Sequence, residues 1–337
     1  MESYSTSTET QRKLNKIFGK NLNIRKYGAI ISVFEQRNRK PWKRLDAAGN
    51  MDYQNTVRKE VCVSGITLHT GVRANLRILP AAENTGIVFR RIDMPGKPEV
   101  QAVAGNVIDV RRATTIASRT TGGFVVTVEH IMASLHAAQV DNAVVEMDGP
   151  EPPIADGSAK AYFFGIQEAG LERLSAPARY WTASAPLRVD AGDSHLYLEP
   201  SDRFEVVCRV EYGVTPLDRQ EFTCVVTPET FGRELSDSRT FCIFRELSQL
   251  IGAGLVKGGS LDNAVIMHDG AIISKEGMRH PEEFARHKMM DLVGDLFLTG
   301  MRVHAKVTAE KAGHPTHVKL ATEMLAQWTA NNQTKES

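Results

Sequence analysis

The sequence predicts an α+β fold made of two similar domains. Three observations support this prediction. The stretch from about Val57 mixes short strands with two helices, a small polar break follows at about Leu174–Trp181, and the second half repeats a similar order of elements. Such a mixture of strands and helices fits the α+β class. We therefore expect a basic extension at residues 1–56 and two α+β domains at residues 57–178 and 179–337.

Apolar alternation and turn residues define the elements expected in the first half. Thr127 is suited to cap a helix that runs to about Ala138. Asp156-Gly157-Ser158 opens a second helix that ends near Gly170. Four strands are expected, at Val57–Val63, Ala74–Leu79, Ile87–Arg91 and Asn142–Met147.

The second half is expected to contain three helices and five strands. One helix lies near Arg245–Ile251, and a final helix runs from about Thr316 to Ala330. Between them a long helix is expected, because Pro281 suits the first helical position and Gly300 suits the C-terminal stop. The strands are expected at Leu187–Val189, Leu196–Leu198, Phe204–Tyr212, Ala264–Met267 and Arg302–Thr308.

The composition excludes several classes of function. Hydrophobic residues make up 42% and charged residues 24% of the 337 residues, which is typical of soluble globular proteins. Lys plus Arg is 41 and Asp plus Glu is 40, so the charge balance gives no reason to expect a nucleic-acid-binding protein. The apolar runs are far shorter than the roughly 20 residues that span a bilayer. The 4 scattered cysteines have no metal-ligand spacing, and we see no secretory signal, so we expect a cytoplasmic protein.

Positive charge is concentrated near the N-terminus. Residues 1–56 contain 11 Lys and Arg against 5 Asp and Glu, whereas the remainder carries 30 against 35. A basic segment with few apolar residues does not offset its ordering entropy, so a solvated, partly disordered extension is the first interpretation. An electrostatic contact with an anionic membrane surface or partner is the alternative. Glu2 and Glu9 disfavour an organellar transit peptide.

The long helix carries the most informative polar residues. His287, Asp291 and Asp295 follow one another at intervals of four in an otherwise apolar sequence, so they share one face. A charge in apolar surroundings is costly unless it is paired or bound to a metal. His287 and Asp291 offer nitrogen and oxygen atoms that suit one zinc ion. An ordinary His–Asp pair on a wet helix face is the alternative.

A zinc site needs a third ligand, and Glu129-His130 offers one. Neighbouring residues of a helix point about 100° apart, so the two do not bind one metal in the same way. The natural division makes His130 the ligand and Glu129 the general base for water. The alternative is that Glu129 complements the helix N-terminus and that His130 lies at the surface.

Two further segments are less decisive. A glycine turn at residues 311–314 presents His314 either as a general acid or as an exposed loop residue. Thr240 comes just before a helix, where a hydroxyl is either a cap or a catalytic group. The remaining histidines have no partner that the sequence identifies; they are His69, His136, His195, His268, His280, His304 and His317.

Taken together, these segments resemble one family, the zinc-dependent UDP-3-O-acyl-N-acetylglucosamine deacetylases of lipid A synthesis in Gram-negative bacteria. The resemblance covers about residues 57–330, and its motifs occur in the family's order. They are SGITLHTG (64–71), NTGIVFRRID (84–93), TVEHIMASL (127–135), DNAVVEMDGPEPPIADGSA (141–159), SRTF (238–241), GGSLDNAV (258–265), FARHKMMDLVGDLFLTG (284–300) and KAGH (311–314). The resemblance implies that each domain is a small sheet with helices, and that the helices pack between the two sheets.

The resemblance also implies roles for the candidate residues. The implied zinc ligands are His130, His287 and Asp291, with Fe²⁺ as the alternative metal. The implied general base is Glu129.

Further roles follow from the same resemblance. The implied general acid is His314, and Asp295 is the carboxylate that orients it. Thr240 matches the hydroxyl that stabilises the tetrahedral oxyanion. Three residues match positions that meet the substrate: Lys288, Lys311 and Phe241.

Two segments depart from the family's pattern on the substrate side. The family often has a lysine where Thr182–Pro186 reads TASAP, and a His-Pro where Glu211–Pro216 reads EYGVTP. The alternative function is therefore a non-catalytic or divergent paralogue that binds another acylated nucleotide sugar. The expected partner is an acylated UDP-glucosamine, with no nucleic acid. We expect a monomer, and no membrane contact beyond a peripheral one with the anionic inner membrane surface.

Overall fold

The computed structural model describes residues 52–213 and 219–333. These residues fold as small β-sheets with helices, which confirms the predicted α+β class. The basic extension predicted at residues 1–56 lies outside the described residues except for its last five.

The first half is built on a five-stranded sheet of order β2-β3-β9-β4-β5. Strands β4 and β9 are parallel, and the other neighbouring pairs are antiparallel. The strands of this half are β1 Tyr53–Val57, β2 Val61–Ile66, β3 Arg73–Pro80, β4 Ile87–Arg91, β5 Glu99–Gln101, β6 Val107–Asp109, β7 Thr115–Ala117, β8 Phe124–Val125, β9 Ala143–Met147 and β10 Leu171–Pro177.

The second half repeats this sheet. Its strand order is β12-β13-β19-β14-β15, with the inner pair β14 and β19 again parallel and β11 added beside β19. The repeated order confirms the prediction of two similarly built halves. The strands are β11 Tyr180–Thr182, β12 Leu187–Ala191, β13 Ser194–Pro200, β14 Phe204–Val210, β15 Gln220–Val225, β16 Phe241–Ile243, β17 Val265–His268, β18 Ala271–Ile273 and β19 Arg302–Glu310.

The described part of the chain has five longer helices: α1 Glu129–Ala137, α2 Lys160–Ala169, α3 Phe244–Gly252, α4 Glu283–Leu296 and α5 His314–Gln333. Helix α3 packs on the separate strands β16 and β17, and the other four lie between the two main sheets. Helix α1 contacts α2 and α4, α2 contacts β2, and α4 and α5 contact strands of the second sheet. The core is therefore shared by both halves. Among the described residues, no helix combines the length and the hydropathy that crossing a membrane requires.

Helices α1 and α4 approach closely at Gly294. A β-carbon at this position would lie 2.1 Å from the backbone oxygen of Glu129, so no larger residue fits without moving one helix. This close approach sets the first turn of α1 against the last turn of α4. It thereby brings Glu129 and His130 beside Asp291 and Asp295.

The single strand predicted at Val57–Val63 is two strands in the structure. Strand β1 ends at Val57 and β2 begins at Val61, because exposed residues 58–60 turn the chain from one sheet to another. Residues 53–56, which the sequence assigns to the basic extension, belong to β1. There they pair with β10, so this end of the predicted extension is ordered.

The break predicted at about Leu174–Trp181 is also strand rather than loop. Its first part lies in β10, which pairs with β1, and its last part lies in β11, which pairs with β19. These pairings satisfy the backbone of a stretch whose small polar residues are typical of linkers. The domain limits at residues 57–178 and 179–337 stay predictions.

Thr127 does not cap α1, so that prediction is wrong. Its backbone has a positive φ of 58°, and its hydroxyl donates to Oε1 of Glu151 at 2.9 Å. The Glu151 carboxylate is fully buried and needs donors, which is why it takes this hydroxyl. The cap position falls on Val128, whose N–H donates to the carbonyl of Thr114 at 3.2 Å.

Helix α4 begins at Glu283 rather than at Pro281. The Glu283 carboxylate is buried and accepts from the Nε of Arg239 at 2.8 Å and from the backbone N–H of Arg279 at 2.8 Å. These bonds tie the N-terminus of the helix to the segment that precedes β16.

Candidate active site

Three donor atoms of the predicted metal set meet between α1 and α4. His130 lies in the first turn of α1, and His287 and Asp291 lie one turn apart on α4. The Nε2 atoms of His130 and His287 are 3.7 Å and 3.6 Å from Oδ1 of Asp291. All three side chains are buried, and their ligand atoms lie within 4.8 Å of one another.

The chemistry of these donors fits a cation. Nδ1 of His287 donates to the carbonyl of Ser238 at 3.1 Å, which leaves the lone pair of Nε2 facing Asp291. Oδ1 of Asp291 is buried without a hydrogen-bond partner among the described residues. A buried, unpartnered carboxylate oxygen is costly. Two imidazole nitrogens and this oxygen are the ligands that zinc and related metals accept.

The charge states of the three residues also suit a metal. Burial lowers the pKa of His130 to about 3 and also lowers the pKa of His287, so both imidazoles are neutral at physiological pH. Burial alone would raise the pKa of Asp291, but nearby positive charge, above all the ammonium of Lys288, outweighs it and lowers that pKa. The ammonium of Lys288 lies 2.9 Å from the other oxygen of Asp291.

Glu129 and His314 face the same space from opposite sides. Nε2 of His314 is 3.9 Å from Oε1 of Glu129 and 3.9 Å from Oδ2 of Asp291. The other oxygen of Glu129 accepts the backbone N–H of Thr114 at 3.0 Å. Burial raises the pKa of Glu129 to about 8; the nearby His314 opposes this rise.

Asp295 joins two histidines of α5. Its Oδ2 accepts Nδ1–H of His314 at 2.8 Å and Nδ1–H of His317 at 2.9 Å, and its Oδ1 accepts the hydroxyl of Thr114 at 2.6 Å. Asp295, His314 and His317 are close enough to form a second candidate metal group. Both oxygens of Asp295 already accept hydrogen bonds, however, which favours a role for Asp295 in orienting the histidines. Burial alone would lower the pKa of His314, yet Asp295 and Glu129 outweigh it and raise the pKa to about 9.

Thr240 lies in the segment that supports His287. Its backbone N–H donates to Gly157 at 2.8 Å, and its carbonyl accepts from Val265 at 3.0 Å. Its half-buried side chain is two residues from Ser238, whose carbonyl holds the imidazole of His287. Its backbone is thus fixed beside the segment that holds His287, and the described contacts include none between its hydroxyl and the metal set.

Phe241 packs directly on the metal set. Its ring lies 5.9 Å from the ring of His287 in an edge-on arrangement and 4.4 Å from the ring of Phe284. The ammonium of Lys288 is 5.9 Å from the centre of the same ring. Lys288 and Phe241 are thus brought together beside Asp291, and their contact with a substrate stays a prediction.

Lys311 stands apart from this cluster. It lies in the turn before His314, and its ammonium pairs with Glu211 at 2.9 Å. Glu211 begins the segment that departs from the family's pattern, and Arg219 also pairs with it at 3.3 Å. Residues 214–218 between them lie outside the described residues. Lys311 is therefore held at the edge of the site by this chain's own carboxylate.

Several residues at or near the site were not singled out by the sequence analysis. Thr114 meets the site through its backbone N–H and its hydroxyl, and Ser238 meets it through its carbonyl. Neither contact is marked by a sequence pattern. His317 is three residues after His314 on one helix, so the spacing alone could have shown that the two side chains share a face. His69, within the motif SGITLHTG, is buried, and neither ring nitrogen has a hydrogen-bond partner among the described residues.

A His–His–Asp donor set beside a buried carboxylate and a histidine is the arrangement of metal-assisted hydrolases. Fold and site together place the chain in this class of enzyme. The chain belongs to the UDP-3-O-acyl N-acetylglycosamine deacetylase family, whose sequence profile matches residues 54–326. This match confirms the resemblance.

Similar proteins that carry the name UDP-3-O-acyl-N-acetylglucosamine deacetylase align over most of the chain. The protein of Anaeromyxobacter dehalogenans (strain 2CP-C) is 40% identical over 278 residues, which cover 82% of this chain and 89% of that protein. The protein of Phenylobacterium zucineum (strain HLK1) is 38% identical over 275 residues, or 82% of this chain and 94% of that protein. The protein of Shewanella oneidensis (strain ATCC 700550 / JCM 31522 / CIP 106686 / LMG 19005 / NCIMB 14063 / MR-1) is 36% identical over 282 residues, or 83% and 92%.

Proposed function

We propose that this chain hydrolyses the N-acetyl group of UDP-3-O-acyl-N-acetylglucosamine, releasing acetate and leaving a free amino group, in the synthesis of lipid A. One observation carries the proposal. The unpartnered Oδ1 of Asp291 faces two neutral imidazoles, while Oε1 of Glu129 and Nε2 of His314 converge on the same space. The chain therefore offers a metal site, a base and an acid within one buried cluster.

The metal would be held by His130, His287 and Asp291. Zinc is our proposal, and Fe²⁺ is the alternative because this ligand set tolerates both. When bound, such a cation acts as a Lewis acid that polarises the acetyl carbonyl and makes water more acidic. Lys288 pairs with the second oxygen of Asp291, which fixes the carboxylate and leaves Oδ1 for the cation.

Glu129 acts as the general base in this proposal. Its Oε2 is fixed by the N–H of Thr114, so Oε1 is the oxygen free to take a proton from the attacking water. Attack of that water on the acetyl carbon forms a carbon–oxygen bond and an oxyanion. The hydroxyl of Thr240 is proposed to donate to this oxyanion, and one such donor typically contributes about 2.7–4 kcal/mol.

His314 acts as the general acid. Its Nδ1–H is bonded to Asp295, so the proton on Nε2 is directed toward the space beside Glu129 and Asp291. Donation to the amide nitrogen allows the carbon–nitrogen bond to break and the amine to leave. An amine that is not protonated is a poor leaving group, and this is why an acid is needed in addition to the base.

The remaining residues are proposed to meet the substrate. Lys288 and Lys311 supply positive charge for the diphosphate, and Phe241 supplies an apolar surface beside the metal set. Lys311 is paired with Glu211 in this structure, so contact with a phosphate requires exchange of that partner.

Acetate release tests the function directly. Purified protein is incubated with UDP-3-O-(hydroxyacyl)-N-acetylglucosamine, and acetate is measured with a chelator, without it, and after zinc is restored. UDP-N-acetylglucosamine, which lacks the acyl chain, is the control substrate. Chelator-sensitive release that zinc restores supports the proposal. Tight binding of the acylated substrate without any acetate release would instead support the non-catalytic paralogue.

We expect His314→Ala to lose the basic limb of the pH profile of kcat/KM. The acid must carry a proton, so the wild-type rate falls as the pH rises past the pKa of His314. That pKa is raised to about 9, and a nearby bound cation moves the limb to lower pH. The profile is measured from neutral to alkaline pH. His268→Ala, at an exposed histidine, is the control, and an unchanged basic limb in His314→Ala would assign the acid to another group.

The basic segment before β1 is proposed to hold the protein near an anionic surface, in a cytoplasmic monomer. All proposed site residues belong to a single chain, which is why a monomer is proposed. They all come after residue 113, well beyond the basic segment. A truncated chain that starts at Met51 keeps Asp52, which pairs with Arg302 at 2.7 Å. We expect it to retain kcat on a soluble short-acyl substrate and to bind anionic vesicles less at low salt, since each basic residue contributes about 1 kcal/mol. Loss of turnover in a folded, metal-loaded truncation would contradict this.

A further inference from the structure

Thr114 touches both sides of the proton-transfer machinery. Its backbone N–H donates to Oε2 of Glu129 at 3.0 Å, and its hydroxyl donates to Oδ1 of Asp295 at 2.6 Å. Its carbonyl accepts the N–H of Val128, the residue just before α1, at 3.2 Å. Thr114 is fully buried and lies immediately before β7. One residue thus ties the start of α1 to the C-terminal end of α4.

The hydroxyl of Thr114 completes the surroundings of a buried carboxylate. Oδ2 of Asp295 is shared by the imidazoles of His314 and His317, so Thr114 is the donor that the structure gives to Oδ1. The hydroxyl oxygen also lies 3.3 Å from Nδ1 of His314. A carboxylate with donors on both oxygens has one preferred orientation, and the imidazole bonded to it shares that orientation.

We propose that Thr114 is a positioning residue that fixes the general base and the general acid relative to each other. Its backbone sets Glu129, and its hydroxyl sets Asp295 and, through it, His314. This inference rests on the proposed function, in which Glu129 and His314 carry the two proton transfers. In this role a single residue connects Glu129, which acts on the water, with His314, which acts on the leaving nitrogen.

The hydroxyl is the part of Thr114 that mutation can remove. Valine has nearly the same shape, so Thr114→Val keeps the backbone bond to Glu129 and deletes the donor to Asp295. Oδ1 of Asp295 then loses its donor in a buried place, and the carboxylate gains freedom to rotate together with the imidazole of His314. The metal ligands are not bonded to this hydroxyl, so metal binding is expected to persist.

The kinetic experiment compares Thr114→Val with Thr114→Ser, which keeps the hydroxyl. We expect Thr114→Val to hold one metal per chain, to keep KM within a few fold, and to lose about 10–100-fold in kcat, which is typical when a supporting hydrogen bond is removed. Thr114→Ser is expected to recover most of that loss. Thr114→Ala gives the same comparison if Thr114→Val does not fold. Thr115→Val is the matched control, because this next residue is also buried but bonds to neither carboxylate among the described contacts.

A second measurement does not depend on turnover. Imidazole N–H protons bonded to a buried carboxylate give low-field proton resonances in nitrogen-15-labelled, zinc-loaded protein, and His317→Asn separates the signal of His317 from that of His314. We expect the His314 resonance to shift or broaden in Thr114→Val and to stay unchanged in Thr115→Val.

Two results would overturn the role of Thr114: a metal-loaded Thr114→Val with wild-type kcat, or an unchanged His314 resonance in that variant. A Thr114→Ser as slow as Thr114→Val would also show that the hydroxyl is not the cause. If the wild-type protein releases no acetate, the proposed function fails, and the resonance of His314 still decides whether Thr114 positions it.

Discussion

We expect Glu129→Gln to lower kcat by roughly 10²–10⁴-fold while the protein keeps its metal. Glutamine has the shape of glutamate and still accepts the N–H of Thr114, but it does not take a proton from water. Glu129 is not one of the three residues whose ligand atoms form the metal set, so its replacement leaves that set complete. Steady-state kinetics and metal analysis of the same preparation measure both effects.

The loss should fall on kcat rather than on KM, because proton transfer occurs in the transition state and not in substrate binding. Glu129→Ala should show the same loss, whereas Glu168→Gln, at an exposed glutamate of α2, should be unaffected. A Glu129→Gln variant with near wild-type kcat would show that another group is the base. Loss of the metal in this variant would show instead that Glu129 is a ligand.

The local part of the site was predictable from the sequence. His287, Asp291 and Asp295 share a face of α4 because residues four apart on any helix do so. Glu129 and His130 were divided into base and ligand because neighbours on a helix point in different directions. In the structure His130 faces Oδ1 of Asp291 and Glu129 faces Nε2 of His314, while the division into ligand and base stays a prediction.

The parts that depend on distant residues were not predictable from spacing. The hydroxyl of Thr114 meets Asp295 across 181 positions of sequence, and the carbonyl of Ser238 meets His287 across 49. Backbone donors and acceptors are present at nearly every residue, so no pattern marks the ones that a fold brings to a site. The pairing of Lys311 with Glu211 is of the same kind.

In the fold, too, the elements that depend on distant residues were not predicted from the sequence. The long strands β3 and β19 were predicted because their apolar alternation is local, whereas β15 and the short strands β5, β6, β7, β8, β16 and β18 were missed. Strands of two or three residues are shorter than the roughly four to eight alternating residues that identify a strand, and their pairing is decided by neighbours. The error at Thr127 has a comparable cause: a hydroxyl suited to a cap bonds instead to the buried carboxylate of Glu151.

The second large effect is expected at the metal ligands. We expect His287→Ala and Asp291→Ala each to bind far less than one metal per chain and to lose turnover. Asp291 supplies the oxygen that both imidazoles face, and His287 supplies a neutral nitrogen already oriented by Ser238. Asp291→Asn is the milder variant, because it keeps an acceptor for the ammonium of Lys288 but removes the negative charge. Elemental analysis of purified, chelator-free protein measures the stoichiometry.

Thermal unfolding provides a second readout for the same variants. A ligand that binds only the folded state stabilises it, by about 2.7 kcal/mol when the free cation exceeds Kd 100-fold. A chelator should therefore lower the Tm of the wild-type protein but leave the Tm of His287→Ala and Asp291→Asn unchanged. His280→Ala, at a histidine paired with Asp237 near the surface, should behave as the wild type. Full metal occupancy in both His287→Ala and Asp291→Ala would place the cation elsewhere, because the two residues provide two of the three donors that the buried cluster offers.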